Sequence, residues 1–307
     1  LINIKSKMKK TTRIIAMGAI VACMASCSES ELYLYGCGCD KEDNPCLLQV
    51  TDVTKAGYAL TRAANEKSAF DEGDLIGLCL DDGSGTYDGT SYNGIKLTKG
   101  ESEWTLETKA LLSSTPGTLY AIYPYREDMS NKVISLSLND AQDYLFDKVD
   151  KISKSNNTVS LSMGHMRAKL VVNIKKGNFL GDCNITQGRI YGSSLSVDGS
   201  YDLVTEKMTE SDSNQEIQFT GAVSDEAPLV DEWFVFSKFG SSISKLSFEF
   251  TVNGVVFPTV SSTNSIRFEK GKKYIFNITI NNKQAEVTAV DIEPWVDTDS
   301  EDLSVIN

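Results

Sequence analysis

At 307 residues, with 41% hydrophobic and 23% charged side chains, the chain has a globular composition and room for two domains with separate cores. Its 30 basic and 42 acidic residues leave a net charge of −12, and the first 26 residues hold five of the basic side chains and no carboxylate. The remainder carries 25 basic against 42 acidic side chains, a net of −17, which repels phosphate backbones and excludes a general nucleic-acid binder.

Lys9, Lys10 and Arg13 precede the 12-residue apolar run Ile14–Ala25. As a helix this run reaches about 18 Å at roughly 1.5 Å per residue, short of the ~30 Å hydrocarbon core. A basic start followed by a short apolar stretch is the pattern of an export signal, expected over residues 1–26. Met24-Ala25-Ser26-Cys27 then resembles a bacterial lipobox, whose cysteine is diacylated and becomes the new N-terminus. Cys27 is the expected lipidation site, because Ser28-Glu29-Ser30-Glu31 supplies a polar start after it. Ile20-Val21-Ala22-Cys23 fits the same pattern and stays an alternative. Residues 27–46 read as a tether, since they have no apolar period. The odd count and uneven spacing of Cys37, Cys39, Cys46, Cys79 and Cys183 argue against a disulfide framework. Cys79, inside "LIGLCL", reads as a small core residue.

Beyond the tether the pattern is β almost throughout. "LLQVTDV", "LIGLCL", "LYAIYPY", "KVISLSL", "TVSLSM", "KLVVNI", "KLSFEFTV" and "KYIFNITI" are short runs rich in branched and aromatic residues. Ile134, Leu136 and Leu138 alternate with Val133, Ser135 and Ser137, as a half-buried strand requires. Val252-Asn253-Gly254-Val255 is a hairpin signal. Gly73-Asp74 and Gly271 read as turns feeding the strands after them, and Pro294-Trp295 reads as the end of the last strand. Only Asn139–Lys148 hints at a helix, with Asn139 as its N-cap, and it reads equally well as a loop. The number and spacing of strands predict an all-β protein of two antiparallel β-sandwich domains, Greek-key or transthyretin-like. The polar Ser153–Asn157 marks the boundary, giving an N-terminal sandwich over 47–157 and a C-terminal one over 158–307.

Chemistry is sparse. The single histidine, His165, lies at a strand edge beside Met163 and Met166 and has no nucleophile motif to serve, so it reads as packed. The acidic groups Asp71–Asp74, Asp81-Asp82 and Asp297–Asp302 offer oxygen ligands, but the last has Asp302 where a calcium loop wants glycine. Solvated turns explain them better. No catalytic residue, metal site or cofactor is expected.

One series of stretches follows the leader in order: "ALTRAA" (Ala59–Ala64), "FDEGDLIGLCL" (Phe70–Leu80), "YNGIKLTKGESEW" (Tyr92–Trp104), "GTLYAIYPY" (Gly117–Tyr125), "MGHMRAKLVVNI" (Met163–Ile174), "FEKGKKYIFNITI" (Phe268–Ile280) and "AVDIEPW" (Ala289–Trp295). This series resembles the fimbrillin-like proteins of Bacteroidales, lipoprotein precursors and accessory subunits of type V pili. The resemblance implies a non-catalytic surface subunit, held at the outer membrane by its lipid and partnered by other pilus subunits. In polymerising members an arginine-specific protease removes the first strand, and a strand of another subunit fills the groove. Arg62, with Ala63 as the new first residue, matches that cut; an uncut anchor or tip subunit is the alternative. The acidic segment after Trp295 suits a hydrophobic groove poorly, which favours an accessory or tip role. A monomeric surface glycan binder is the competing function.

Overall fold

The structure is a computed structural model that describes residues 46–56, 69–140, 142–212 and 215–295. Cys27, Arg62, Ala63 and Asp297–Asp302 lie outside the described residues. The first strands are β1 (Cys46–Leu47), β2 (Gln49–Lys55), β3 (Leu75–Asp81), β4 (Tyr92–Lys99), β5 (Trp104–Leu106), β6 (Leu111–Leu112), β7 (Gly117–Tyr123), β8 (Val133–Leu136), β9 (Leu145–Ile152) and β10 (Thr158–His165). They are followed by β11 (Ala168–Lys176), β12 (Cys183–Tyr191), β13 (Gly199–Asp202), β14 (Lys207–Glu210), β15 (Glu216–Val223) and β16 (Leu229–Val235). The last are β17 (Ser247–Val252), β18 (Val255–Val256), β19 (Val260–Ser261), β20 (Lys272–Ile280) and β21 (Ala285–Pro294).

A seven-stranded sheet runs β2-β10-β9-β7-β3-β4-β5 and curls until its edge strands β2 and β5 touch. Its middle is covered on both faces. Ile76, Leu78 and Leu80 of β3 point one way, while Cys79 points the other and joins Tyr120, Ile122 and Phe146. That second face is capped by the small sheet β14-β13-β8, through Ile134, Leu136 and Tyr201. Burial on both faces is why "LIGLCL" reads as an unbroken apolar run. The remaining strands form a sandwich of β16-β11-β20-β21 against β15-β12-β17-β18, with β19 on β17. Leu170, Val172 and Ile174 from β11 meet Phe248, Phe250 and Phe276 in its core.

The all-β sandwich architecture is as expected from the alternating runs. Tyr274, Phe276 and Ile278 are buried along β20 while Ile275, Asn277 and Thr279 are not. Asn253 and Gly254 both have positive φ, 50° and 80°, the geometry that a two-residue hairpin of this hand needs. Two pairings, β10 with β2 and β11 with β20, are parallel. The helix hinted at over Asn139–Lys148 is absent among the described residues: Leu138 and Asn139 turn, and Leu145 begins β9. Leu145 and Phe146 are both buried because the sheet is covered on each side, so adjacent apolar residues here mark a strand. Ser153–Asn157 forms the tight turn from β9 to β10, within one sheet; Ser153 and Asn156 exchange backbone bonds of 3.2 and 2.9 Å. The small sheet takes β8 from one side of that turn and β13 and β14 from the other. Cys46 is disulfide-bonded, a bridge that the odd cysteine count concealed, while Cys79 and Cys183 are free and buried.

The small sheet is tied to β3 by an ion pair between Lys132 and Asp81, both largely buried. Asp81 Oδ1 also accepts from Gly83 N–H at 2.7 Å and Gly85 N–H at 3.0 Å. Burial opposes ionisation of Asp81, but the bonds from Lys132, Gly83 and Gly85 outweigh it and hold the carboxyl below its ordinary range. The unfolded chain therefore binds more protons at this residue, so the contribution of Asp81 is present at neutral pH. It is lost as pH falls below about 4, through the lowered pKa. Asp81→Asn strands the Lys132 ammonium and should cost about 3–5 kcal/mol in urea unfolding at pH 7; Asp81→Asn/Lys132→Met should recover part of that.

Candidate functional site

The segment 46–56 crosses from one sheet to another. β1 pairs with β6, Cys46 opposite Leu112 and Leu47 opposite Leu111. Leu48 N–H then donates to the Ala110 carbonyl at 2.9 Å, and β2 runs parallel to β10 from Gln49 opposite Thr158 to Lys55 opposite Met163. Cys46, Leu48 and Val53 are buried, while the other side chains of β2 are exposed or half-buried. Each buried aliphatic side chain contributes about 1.5–3 kcal/mol. Thr51 Oγ1 donates to the Val159 carbonyl at 3.2 Å, and Asn157 Nδ2 donates to the Leu47 carbonyl at 3.0 Å.

The other side of β10 is thinly held. β9 meets it only at Gly164 opposite Phe146 and His165 opposite Leu145. Further along, the Ser162 N–H donates to the Asp147 carboxylate at 2.6 Å in place of a ladder bond. Over Thr158–Met163 the strand partner of β10 is therefore β2, at the edge of the sheet. An edge of this kind, bared, offers unpaired backbone groups and the buried side chains of Val159, Leu161 and Met163.

The matches to known proteins agree with this architecture. A family model described as fimbrillin-like matches residues 61–295. The chain belongs to the fimbrillin-like family. Among relatives of this fimbrillin-like chain is a candidate fimbrium subunit, Fim1C, of Bacteroides uniformis. It is 25% identical, covering 94% of this chain and 96% of the relative. Two crystal structures share the fold, both of candidate cell adhesion proteins. That from Bacteroides uniformis has a TM-score of 0.57 at 20% identity, over 82% of this chain and 99% of that one. That from Bacteroides ovatus has a TM-score of 0.58 at 18% identity, over 83% and 99%.

The residues singled out for chemistry in this fimbrillin-like chain are built into its packing. His165 ends β10 and Arg167 lies just before β11. The Trp295 ring stacks on His165 at 3.8 Å and 11°, and lies 5.4 Å from the Phe234 ring, with the Arg167 guanidinium 4.7 Å from the Phe234 centroid. Arg167 is fully buried; Nη1 donates to the Ser137 carbonyl at 3.3 Å and Nη2 to the Gln142 carbonyl. Burial pushes its pKa down, opposed by the nearby carboxylates of Asp143 and Asp140. His165 Nδ1 meets Asp143 Oδ2 at 2.8 Å. An acid–histidine pair needs a nucleophile at the other nitrogen, but Nε2 is buried without a hydrogen-bond partner. Of the acidic groups, Asp74 Oδ2 accepts from Asp71 N–H at 2.8 Å, and Asp82 accepts from Ser84 and Asp88 N–H at 3.0 and 2.9 Å. These are turn-forming bonds.

Arg167 and its aromatic column escaped the sequence reading, because an arginine beside a strand normally faces water; only its place between "GHM" and "AKL" hinted at burial. Trp295→Ala should cost about 3–5 kcal/mol in urea unfolding. His165→Phe, which keeps a ring against Trp295, should cost much less.

Proposed function

We propose that this protein is a surface-exposed lipoprotein that serves as a structural or accessory subunit of adhesive type V pili. It acts through binding, without catalysis, and is assembled with its neighbours by strand exchange. The observation that carries this reading is the pairing of β10. Arg62 lies in the connection from β2 to β3, so a cut after it separates β1 and β2 from the rest of the chain. What remains is β10 with one long unpaired edge and an apolar row beside it. A parallel or antiparallel strand from another subunit can satisfy both needs at once, with main-chain bonds for affinity and side-chain pockets for register. The fimbrium and adhesion proteins that this chain resembles support a surface role. In this scheme the lipid on Cys27 holds the precursor at the outer membrane until an arginine-specific protease releases it. The acidic residues after Trp295 favour an accessory or tip position over the stalk.

Two measurements test the scheme. Cys27→Ala should abolish incorporation of labelled fatty acid and release the protein from membranes; labelling lost only with Cys23→Ala moves the anchor to Cys23. N-terminal sequencing of the surface form should find a chain beginning at Ala63 in wild type. Arg62→Ala should block this cut and remove the ladder of detergent-resistant multimers from unheated envelope extracts. A wild-type surface form that begins at the acylated cysteine and still joins pili contradicts cleavage and makes the protein an anchor or tip.

A further inference from the structure

The two connections that flank β8 enclose an open cleft of about 520 Å³, within the range of small-ligand sites. Tyr125, Arg126 and Glu127 line one side, and Asp140, Gln142 and Tyr144 the other. The first wall is preformed. A Cβ on Gly94 would lie 1.9 Å from the Glu127 carbonyl oxygen, and one on Gly77 would lie 3.0 Å from the Arg126 backbone. The β7–β8 connection thus rests directly on β3 and β4, where only glycine admits it. Asn93 clamps it: Oδ1 accepts from Met129 N–H at 2.8 Å and Nδ2 donates to Asp128 Oδ1 at 3.1 Å. Tyr125 N–H donates to the Leu75 carbonyl at 2.8 Å, and its hydroxyl to the Gly94 carbonyl at 3.3 Å. Little ordering entropy is left to lose when a ligand arrives.

The lining favours neither sign of charge. Three carboxylates, Glu127, Asp128 and Asp140, are balanced by Arg126 in the lining and by Lys96 and Arg167 against its rings, so no net charge draws an ion. The rings also hold cations already: Lys96 lies 5.1 Å from the Tyr125 centroid, and Arg126 and Arg167 lie 5.9 and 5.7 Å from that of Tyr144. A cationic ligand would meet these first. Asp128 and Asp140 are engaged with the fold, accepting from Ser130 N–H at 2.9 Å and from the Tyr144 hydroxyl at 2.7 Å. The adjacent side chains of Arg126 and Glu127 make no hydrogen bond or ion pair among the described residues. One is a planar donor, the other a planar acceptor. Neighbouring hydroxyls, which both give and accept, satisfy the two together.

We infer that this cleft binds a neutral saccharide, with pyranose hydroxyls on Arg126 and Glu127, between the walls that carry Tyr125 and Tyr144. The site is independent of strand exchange, because cleft and β2 edge are built from different strands; a subunit that fails to assemble still presents it. The test is calorimetry on the full purified chain with neutral hexose and N-acetylhexosamine oligosaccharides, a sialylated oligosaccharide and a lysine-rich peptide. The comparison is Arg126→Ala/Glu127→Ala, which removes two side chains with no hydrogen bond or ion pair among the described residues and loses only the contact of Arg126 with the Tyr144 ring; its thermal unfolding should stay close to wild type. Gly94→Ala, which displaces the preformed wall, is the second variant. At least one neutral oligosaccharide should bind wild type, about tenfold less tightly after loss of the Arg126 and Glu127 bonds, and more weakly in Gly94→Ala. The inference fails if no neutral saccharide binds at millimolar concentration, if binding is unchanged in the double variant, or if only a charged probe binds.

Discussion

The dependence of β10 on β2 shapes the first half of this protein. A strand inside a sheet normally has two partners along its length, and removing one leaves it held by the other. Here β9 reaches β10 at only two positions, and the Asp147 carboxylate fills part of the gap. β2 supplies the long pairing from a segment more than a hundred residues earlier in the chain. Whatever occupies that edge must be extended, must donate and accept along its whole length, and must bring an apolar side chain to the place of Val53. Those are demands that any strand of suitable pattern can meet, which is the physical basis for exchanging one strand for another.

The rest of the fold makes the edge a fixed template. The seven-stranded sheet is clamped on its second face by β8, β13 and β14, and the Lys132–Asp81 pair ties that cap to β3. At the far end of β10, the column Arg167, Phe234, Trp295 and His165 joins the start of β11, the edge of β16 and the residue after β21. A buried guanidinium is costly unless its donors are satisfied; the Ser137 and Gln142 carbonyls take one bond from each Nη, while Nε–H is left without a partner among the described residues. The strand that pairs with β2 is thus pinned at its C-terminal end by groups from several distant parts of the chain.

Local features were legible in the sequence and non-local ones were not. Asn253-Gly254 declared its hairpin because both residues tolerate positive φ. β20 declared itself by alternation, and Gly271, with φ of 73°, by the turn before it. Cys79 was readable as core because "LIGLCL" has no polar face. The parallel partner of β10 was invisible: pairing between Gln49–Lys55 and Thr158–Met163 leaves no trace in either segment alone. The choice between helix and loop at Asn139–Lys148 missed the strand for the same reason, since adjacent Leu145 and Phe146 are explained only by covers on both faces of a sheet. His165 could be read as packed, but its stack on Trp295 joins residues 130 positions apart.

Hydrogen exchange tests most directly whether the first strand is a replaceable partner of β10. Backbone amides of Val159–Met163 that face β2 should be protected in the intact chain. After cleavage following Arg62 and removal of the N-terminal fragment they should exchange rapidly, and a peptide of residues 46–56 should restore their protection. Protection that persists unchanged without the fragment would mean that β10 holds its place without β2, and the account of the exchangeable edge would be wrong.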